Sequence, residues 1–219
     1  MIEAVIFDMD GLLADTEPLW AIAESAVFQK NGIPITAEMT RQTTGLRLDE
    51  VIDYWSVKFQ LQNISKPVLI SQILQTLKIL IRQKACKMEG VDEIIRFFAD
   101  KNLPMAIASS SPMEIIMAVL EKLKLNSRFS IIQSAENEKF GKPNPAVYIK
   151  TIQQLNLPAR KILAFEDSIN GIMAAKAAHL NVVAIPSVID FNNPKFSEAD
   201  LKLPSLLNFK SKHFEIFHS

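Results

Sequence analysis

The sequence predicts an α/β protein: a doubly wound parallel sheet with a block of helices inserted after its first strand. Three observations predict it. Short, almost wholly apolar runs end in acidic or hydroxyl residues, helical patterns alternate with those runs, and residues 15–85 contain helical patterns alone. Buried parallel strands read as continuous apolar runs, and strands alternating with helices build a parallel sheet.

The first run, EAVIFD, is β-branched and aromatic, and it delivers Asp8 at its C-terminal end. MAIA (105–108) leads into Ser109, Ser110 and Ser111, and ILAF (162–165) leads into Glu166, Asp167 and Ser168. VVAI (182–185) is closed by Pro186, and Ile131 with Ile132 marks a fifth, shorter strand. Between them, residues 113, 116, 117, 120 and 123 are apolar on one helical face, with Pro112 in the first turn. Residues 146–155 and 169–178 read the same way. Ligands of such sheets collect outside the carboxyl ends of the strands, which is where the polar residues fall.

Helices are predicted over 19–30, 38–42, 49–59 and 67–82, broken at 31–32, 44–45 and 63–65. An insert placed directly after the first strand would stand over that strand's tip. The expected division is therefore a core of residues 1–14 and 86–219 and a helical cap of residues 15–85.

Hydrophobic residues make up 48% and charged residues 22%, enough to bury one sizeable core. Lys+Arg and Asp+Glu balance at 24 each, so charge makes no case for nucleic acid or an anionic membrane. The opening MIEAVIFDMD carries acids where a secretory leader is basic, and no apolar run approaches the ~20 residues that span a bilayer. The single Cys86 excludes an internal disulfide and is expected as a small buried apolar side chain. A cytoplasmic monomer acting on a small molecule is the expectation.

The chemistry lies in four short motifs. FDMDG places Asp8 and Asp10 at the end of the first strand, and FEDSING places Glu166 and Asp167 at the end of another. Either pair alone reads as an Asx turn or a helix N-cap. Together they converge four carboxylates on one edge of the sheet, where like charges cannot all ionise without a cation. Ligation by oxygens alone selects a hard cation, and Mg²⁺ also accepts a phosphate oxygen. Lys142 is held in a loop by Gly141 and Pro143, where the default reading is a solvated lysine. Ser109 offers a hydroxyl, and Ser110 offers a backbone N–H at a helix start, a natural anion site.

The ordered set DxD, strand–Ser, GKPxP and strand–EDSxNG spans residues 8–171 and resembles the phosphatase branch of the haloacid dehalogenase superfamily. DTEPLW, GLRLDEVIDYW and SEADLKLPSL are similar to its phosphatases of 2-deoxyglucose 6-phosphate and hexitol phosphates, in the β-phosphoglucomutase-like subgroup. The resemblance implies that Asp8 attacks phosphorus and that Asp10 serves as general acid and base. It implies metal ligation by Asp8, Asp10 and Asp167, with Glu166 supporting or joining them. It gives Ser109, Ser110 and Lys142 the phosphoryl oxygens, and it aims Arg47 from the cap at the substrate, the alternative for Arg47 being an exposed residue at a helix start. Trp20 and Trp55 either line the cap or, as is commoner at helical spacing, belong to its core. His179, His213 and His218 have no paired acid and receive no role.

Three rivals remain. A β-phosphoglucomutase-type enzyme would carry a histidine where this chain has Trp20. A dehalogenase would need no metal and would lack Asp10. A non-catalytic phospholigand-binding relative should have lost one of the motif residues, and none is missing.

Overall fold

A computed structural model describes residues 1–61 and 65–218, the last as backbone only. The predicted break at 63–65 therefore falls largely outside the described residues, as does the side chain of His218. Six strands form the sheet: β1 (Ala4–Phe7), β2 (Met105–Ser109), β3 (Ile131–Ser134), β4 (Ile162–Glu166), β5 (Asn181–Ala184) and β6 (Leu201–Lys202). All pairings are parallel, in the order β3-β2-β1-β4-β5-β6. This is the expected doubly wound sheet. Its strand order reverses between β1 and β4, the switch point where such sheets bind ligands.

Eight helices accompany it among the described residues. They are α1 (Glu17–Lys30), α2 (Leu48–Lys58), α3 (Lys66–Lys84), α4 (Val91–Ala99), α5 (Met113–Leu123), α6 (Ala146–Leu155), α7 (Ile169–Ala177) and α8 (Ser211–Glu215). The predicted helix over 38–42 is a 3-10 turn, Met39–Thr43. Three elements lie outside those predicted. β6 is only two residues long and half-buried. α4, whose apolar residues 91, 94, 95 and 98 share one helical face, and the five-residue α8 also lie outside them.

Alternation along β1 explains the layering. Val5 and Phe7 join one buried cluster with residues of α4, α5 and α8, while Ala4 and Ile6 join another with α6 and α7. Phe7 and Phe165 stack at 5.1 Å and meet Phe98 edge-on at 6.1 and 5.7 Å, locking the tips of β1 and β4 together from below.

The helices α1 to α3 stand over those tips. The chain leaves and re-enters this layer through two adjacent segments: Asp15 N–H donates to the Cys86 carbonyl at 3.0 Å, and Met88 N–H donates to Leu13 at 3.2 Å. Cys86 is exposed in this linker, correcting the expectation of a buried side chain. Its neighbours here are backbone partners rather than a packed layer. Trp55 is fully buried, as the core reading of that tryptophan anticipated. No helix among the described residues is long and apolar enough to cross a membrane.

Candidate active site

Asp8 follows β1 directly, and its N–H donates to the Phe165 carbonyl of β4 at 3.0 Å. Asp167 follows β4, so the sheet itself sets the two acids side by side. Carboxylate oxygens of Asp8, Glu166 and Asp167 lie within 4.8 Å of one another. The approach is close enough to demand glycines. At Gly11 (φ +75°) a Cβ would stand 2.1 Å from Oδ2 of Asp167, and at Gly171 it would stand 2.0 Å from the Glu166 carboxyl.

Lys142 is the counter-charge. Its Nζ contacts Asp8 Oδ1 at 2.7 Å, Glu166 Oε1 at 2.6 Å and the Ala108 carbonyl at 3.0 Å, and the residue is 2% exposed. It is a buried, positioned ammonium, not the solvated lysine that is the default. Tyr148 donates its hydroxyl to Glu166 Oε1 from below and sits under the ammonium, ring centroid 5.0 Å away. Sequence reasoning missed Tyr148, because an aromatic at helical spacing reads as core.

The electrostatics are unbalanced. Burial pushes Asp8 up to about 8, an effect that Lys142 opposes and Glu166 and Asp10 reinforce. Asp167 is also raised, by burial first and then by the charge of Asp8. Burial works against the charge on Lys142, but Asp8 and Glu166 outweigh it and hold that group above its ordinary range. One ammonium cannot offset three ionised acids in a dry place, so without a cation Asp8 and Asp167 are driven to hold protons. A hard divalent cation is what an all-oxygen donor set of this kind fits.

Asp10 points elsewhere. Its Oδ1 accepts from Thr16 Oγ1 at 2.5 Å and from Trp20 Nε1 at 3.1 Å, and its Oδ2 accepts from Ser111 Oγ at 2.6 Å. Trp20 is therefore neither pure core nor a plain lining residue. Thr16 and Ser111 were also missed, because a single hydroxyl carries no signal of its partner. Ser109 is buried, and its Oγ accepts from Ser111 N–H at 3.0 Å, closing the turn after β2. Ser110 donates its hydroxyl to the Gly45 carbonyl of the helical layer at 3.1 Å.

Arg47 does not reach the site. Its guanidinium pairs with Asp49 at 2.5 Å and donates to the carbonyls of Ala135 at 3.2 Å and Glu138 at 2.5 Å. The expectation that it faces the substrate is corrected. An acid two residues on and two backbone carbonyls outcompete the cavity for its donors, and Arg47 instead straps the helical layer to the loop after β3.

Between the sheet tips and the helices lies a cavity of about 620 Å³, lined from below by Asp8, Asp10 and Lys142 and from above by Glu17, Trp20 and Glu24. It suits a small molecule.

Carboxylates at the switch point of a parallel sheet, with a buried lysine and a helical cover, define a hydrolase of small substrates. The chain belongs to the haloacid dehalogenase-like hydrolase family, whose model matches residues 5–185. It is 34% identical over 210 residues to hexitol phosphatase B of Escherichia coli (strain K12), covering 95% of both chains. It is 33% identical over 180 residues to a phosphorylated carbohydrates phosphatase of Thermotoga maritima, covering 80% of this chain and 81% of that one. In fold it matches a β-phosphoglucomutase of Clostridium difficile with a TM-score of 0.87 at 22% identity, over 100% of this chain and 97% of that chain. The resemblance read from the four motifs is borne out.

Proposed function

We propose that this chain is a Mg²⁺-dependent phosphatase that hydrolyses the phosphomonoester of a small sugar or sugar alcohol through a phosphoaspartate on Asp8. One observation carries the reading: a buried carboxylate, Asp8, is held by Lys142 at 2.7 Å within a cluster of acids on the floor of a cavity. The names of its relatives in Escherichia coli and Thermotoga maritima support a carbohydrate substrate. The adjacent linker segments support residues 15–85 as an inserted cap, and the lone thiol supports a reducing, cytoplasmic setting.

In the reaction an Asp8 carboxylate oxygen attacks phosphorus. The bond from phosphorus to the ester oxygen breaks, and Asp10 delivers a proton to the departing alkoxide. Water then attacks the phosphoaspartate while Asp10 takes its proton, which returns Asp8 as the carboxylate. Lys142 faces the attacking carboxylate and stabilises charge on the transferring group. Ser109 and the backbone N–H of Ser110 receive phosphoryl oxygens at the start of α5. Asp8, Asp167 and the Asp10 backbone carbonyl would hold Mg²⁺, with Glu166 behind them. The metal would supply neutralisation of phosphate charge and orientation of the ester.

Trp20 speaks against a mutase, because the position that carries a histidine in mutases is here an indole bound to Asp10. The test is phosphate release from p-nitrophenyl phosphate and from a hexitol 6-phosphate, with MgCl₂ and with EDTA. Asp8→Asn should fall by several orders of magnitude. Equal, slow release by wild type and this variant would overturn the reading.

A further inference from the structure

The cavity roof carries an acid that the mechanism does not use. Glu17, Trp20, Ala21 and Glu24 follow each other at spacings of three, one and three residues along α1, and all four line the cavity, so one stripe of the helix faces it. Glu24 is only 6% exposed, yet it makes no hydrogen bond and no ion pair with any described residue. Its carboxyl is not sealed inside the protein but opens on the cavity, where a bound molecule can meet it.

We propose that Glu24 is the specificity-determining residue of the cavity, receiving a hydroxyl of the substrate's polyol chain at the end away from the phosphate. The proposal rests on the phosphatase reading above and names what it leaves open. The placement is one argument. Trp20 touches Asp10, and Glu24 lies one turn further along α1, an axial step of about 6 Å. A hydroxyl several atoms from the ester oxygen would meet it, and one on a short chain would not.

The chemistry is the other argument. Among the described residues no ammonium or guanidinium pairs with Glu24, and its electrostatic neighbour is another acid, Glu17. Burial, and then Glu17, push it up to about 8, so near neutrality it carries a proton. A neutral carboxyl both donates and accepts, which matches a hydroxyl without burying a charge. Sites built to bond a substrate hydroxyl reject analogues that lack it far more strongly than apolar pockets reject a changed methylene.

The test is a panel of hexitol, pentitol and hexose phosphates with glycerol 3-phosphate as the short reference, assayed with wild type, Glu24→Gln and Glu24→Leu. For wild type, the best long-chain substrate should exceed glycerol 3-phosphate in kcat/KM. In Glu24→Leu that preference should shrink by about 10- to 100-fold, chiefly through KM, and Glu24→Gln should retain most of it. The Tm of Glu24→Leu should equal or exceed that of wild type, because no native partner is lost. An unchanged preference, a wild type indifferent to chain length, or a lowered Tm overturns the proposal. Absence of any Asp8-dependent release, even from p-nitrophenyl phosphate, would instead remove the phosphatase reading beneath it.

Discussion

The backbone N–H of Gly141 donates to Oε1 of Glu50 at 2.8 Å, so the loop carrying Lys142 is fastened from above by α2. Arg47, three residues earlier, fastens the same helix start to Ala135 and Glu138. A Cβ at Gly141 would stand 2.6 Å from Oε2 of Glu50 and 3.0 Å from Cβ of Arg47. Gly141→Ala should therefore lift α2 off the loop and loosen Lys142 while the separate layers stay folded. Loss of one charge-assisted bond of this kind, about 1.5–3 kcal/mol, corresponds to roughly 10- to 150-fold in kcat/KM. Steady-state kinetics beside a thermal melt would check it. A large fall in Tm with no change in kcat/KM would contradict the coupling.

The acids of α1 set a pH dependence whose sign follows from their shifts. Glu24 is raised from the usual 4.5 to about 8, chiefly by burial and then by Glu17. The folded chain thus keeps a proton that the unfolded chain releases above about 4.5, and stability falls as pH rises through the folded value. Glu24→Gln cannot titrate. In EDTA the variant and wild type should melt alike near pH 5. By pH 8 the variant should be the more stable by about 1–3 kcal/mol, or several degrees. A difference that stays constant from pH 5 to 8 would dispose of a buried, proton-holding Glu24.

Strands β1, β2, β4 and β5 were legible because a parallel strand buried on both faces must be apolar throughout, and each ends abruptly where the site begins. β6 was not, because Leu201 and Lys202 are half-buried and hold their place through backbone pairing to Val183 and Ala184. The same division runs through the site. Asp8, Glu166, Asp167 and Lys142 sit in local motifs, and the sheet register brings them together. Tyr148 and Glu24 depend on which way a helix face turns, and only packing decides that. Glu24 did leave a trace: an acid between Ala23 and Val27, within a stripe that is otherwise buried and apolar. Arg47 shows the opposite error. A cation on a cap loop invites a substrate role, and nothing linear shows that carbonyls 88 and 91 residues away will claim its donors.

Gly171 offers a test of the cluster that leaves every acid in place. Its missing Cβ is the space that the Glu166 carboxyl fills, with nearest atoms 2.0–2.1 Å from where a methyl would be. Glu166 cannot retreat cheaply, since it is fully buried and bonded to Lys142 and Tyr148. Gly171→Ala should break that network at a cost of about 3–5 kcal/mol, lowering Tm by roughly 6–20 °C. It should also weaken Mg²⁺ binding by about 10- to 100-fold, since partners behind metal ligands tune affinity on that scale. Calorimetric Mg²⁺ titration of the folded variant would show it, and unaltered affinity would place Glu166 outside the metal's support.

Asp10 is the group whose orientation the proposed reaction most requires, and Trp20 supplies one of its three donors from the cap side. The other two, Thr16 and Ser111, come from the N-cap of α1 and from the loop after β2. The indole and the Thr16 hydroxyl both belong to α1 and its cap, so together they tie the aim of Asp10, the proposed general acid, to the position of the helical cover. Trp20→Phe keeps an aromatic ring in the cavity wall and removes only the N–H. Thr16 and Ser111 still hold Asp10, so the loss should stay near that of one hydrogen bond, about 1 kcal/mol, or roughly 5-fold. It should fall on kcat more than on KM, because proton delivery and not binding is disturbed. With p-nitrophenyl phosphate, whose leaving group departs without protonation, the deficit should nearly vanish in the first step. Equal losses on alkyl and aryl esters would show instead that Trp20 acts on the shape of the cavity and not on Asp10.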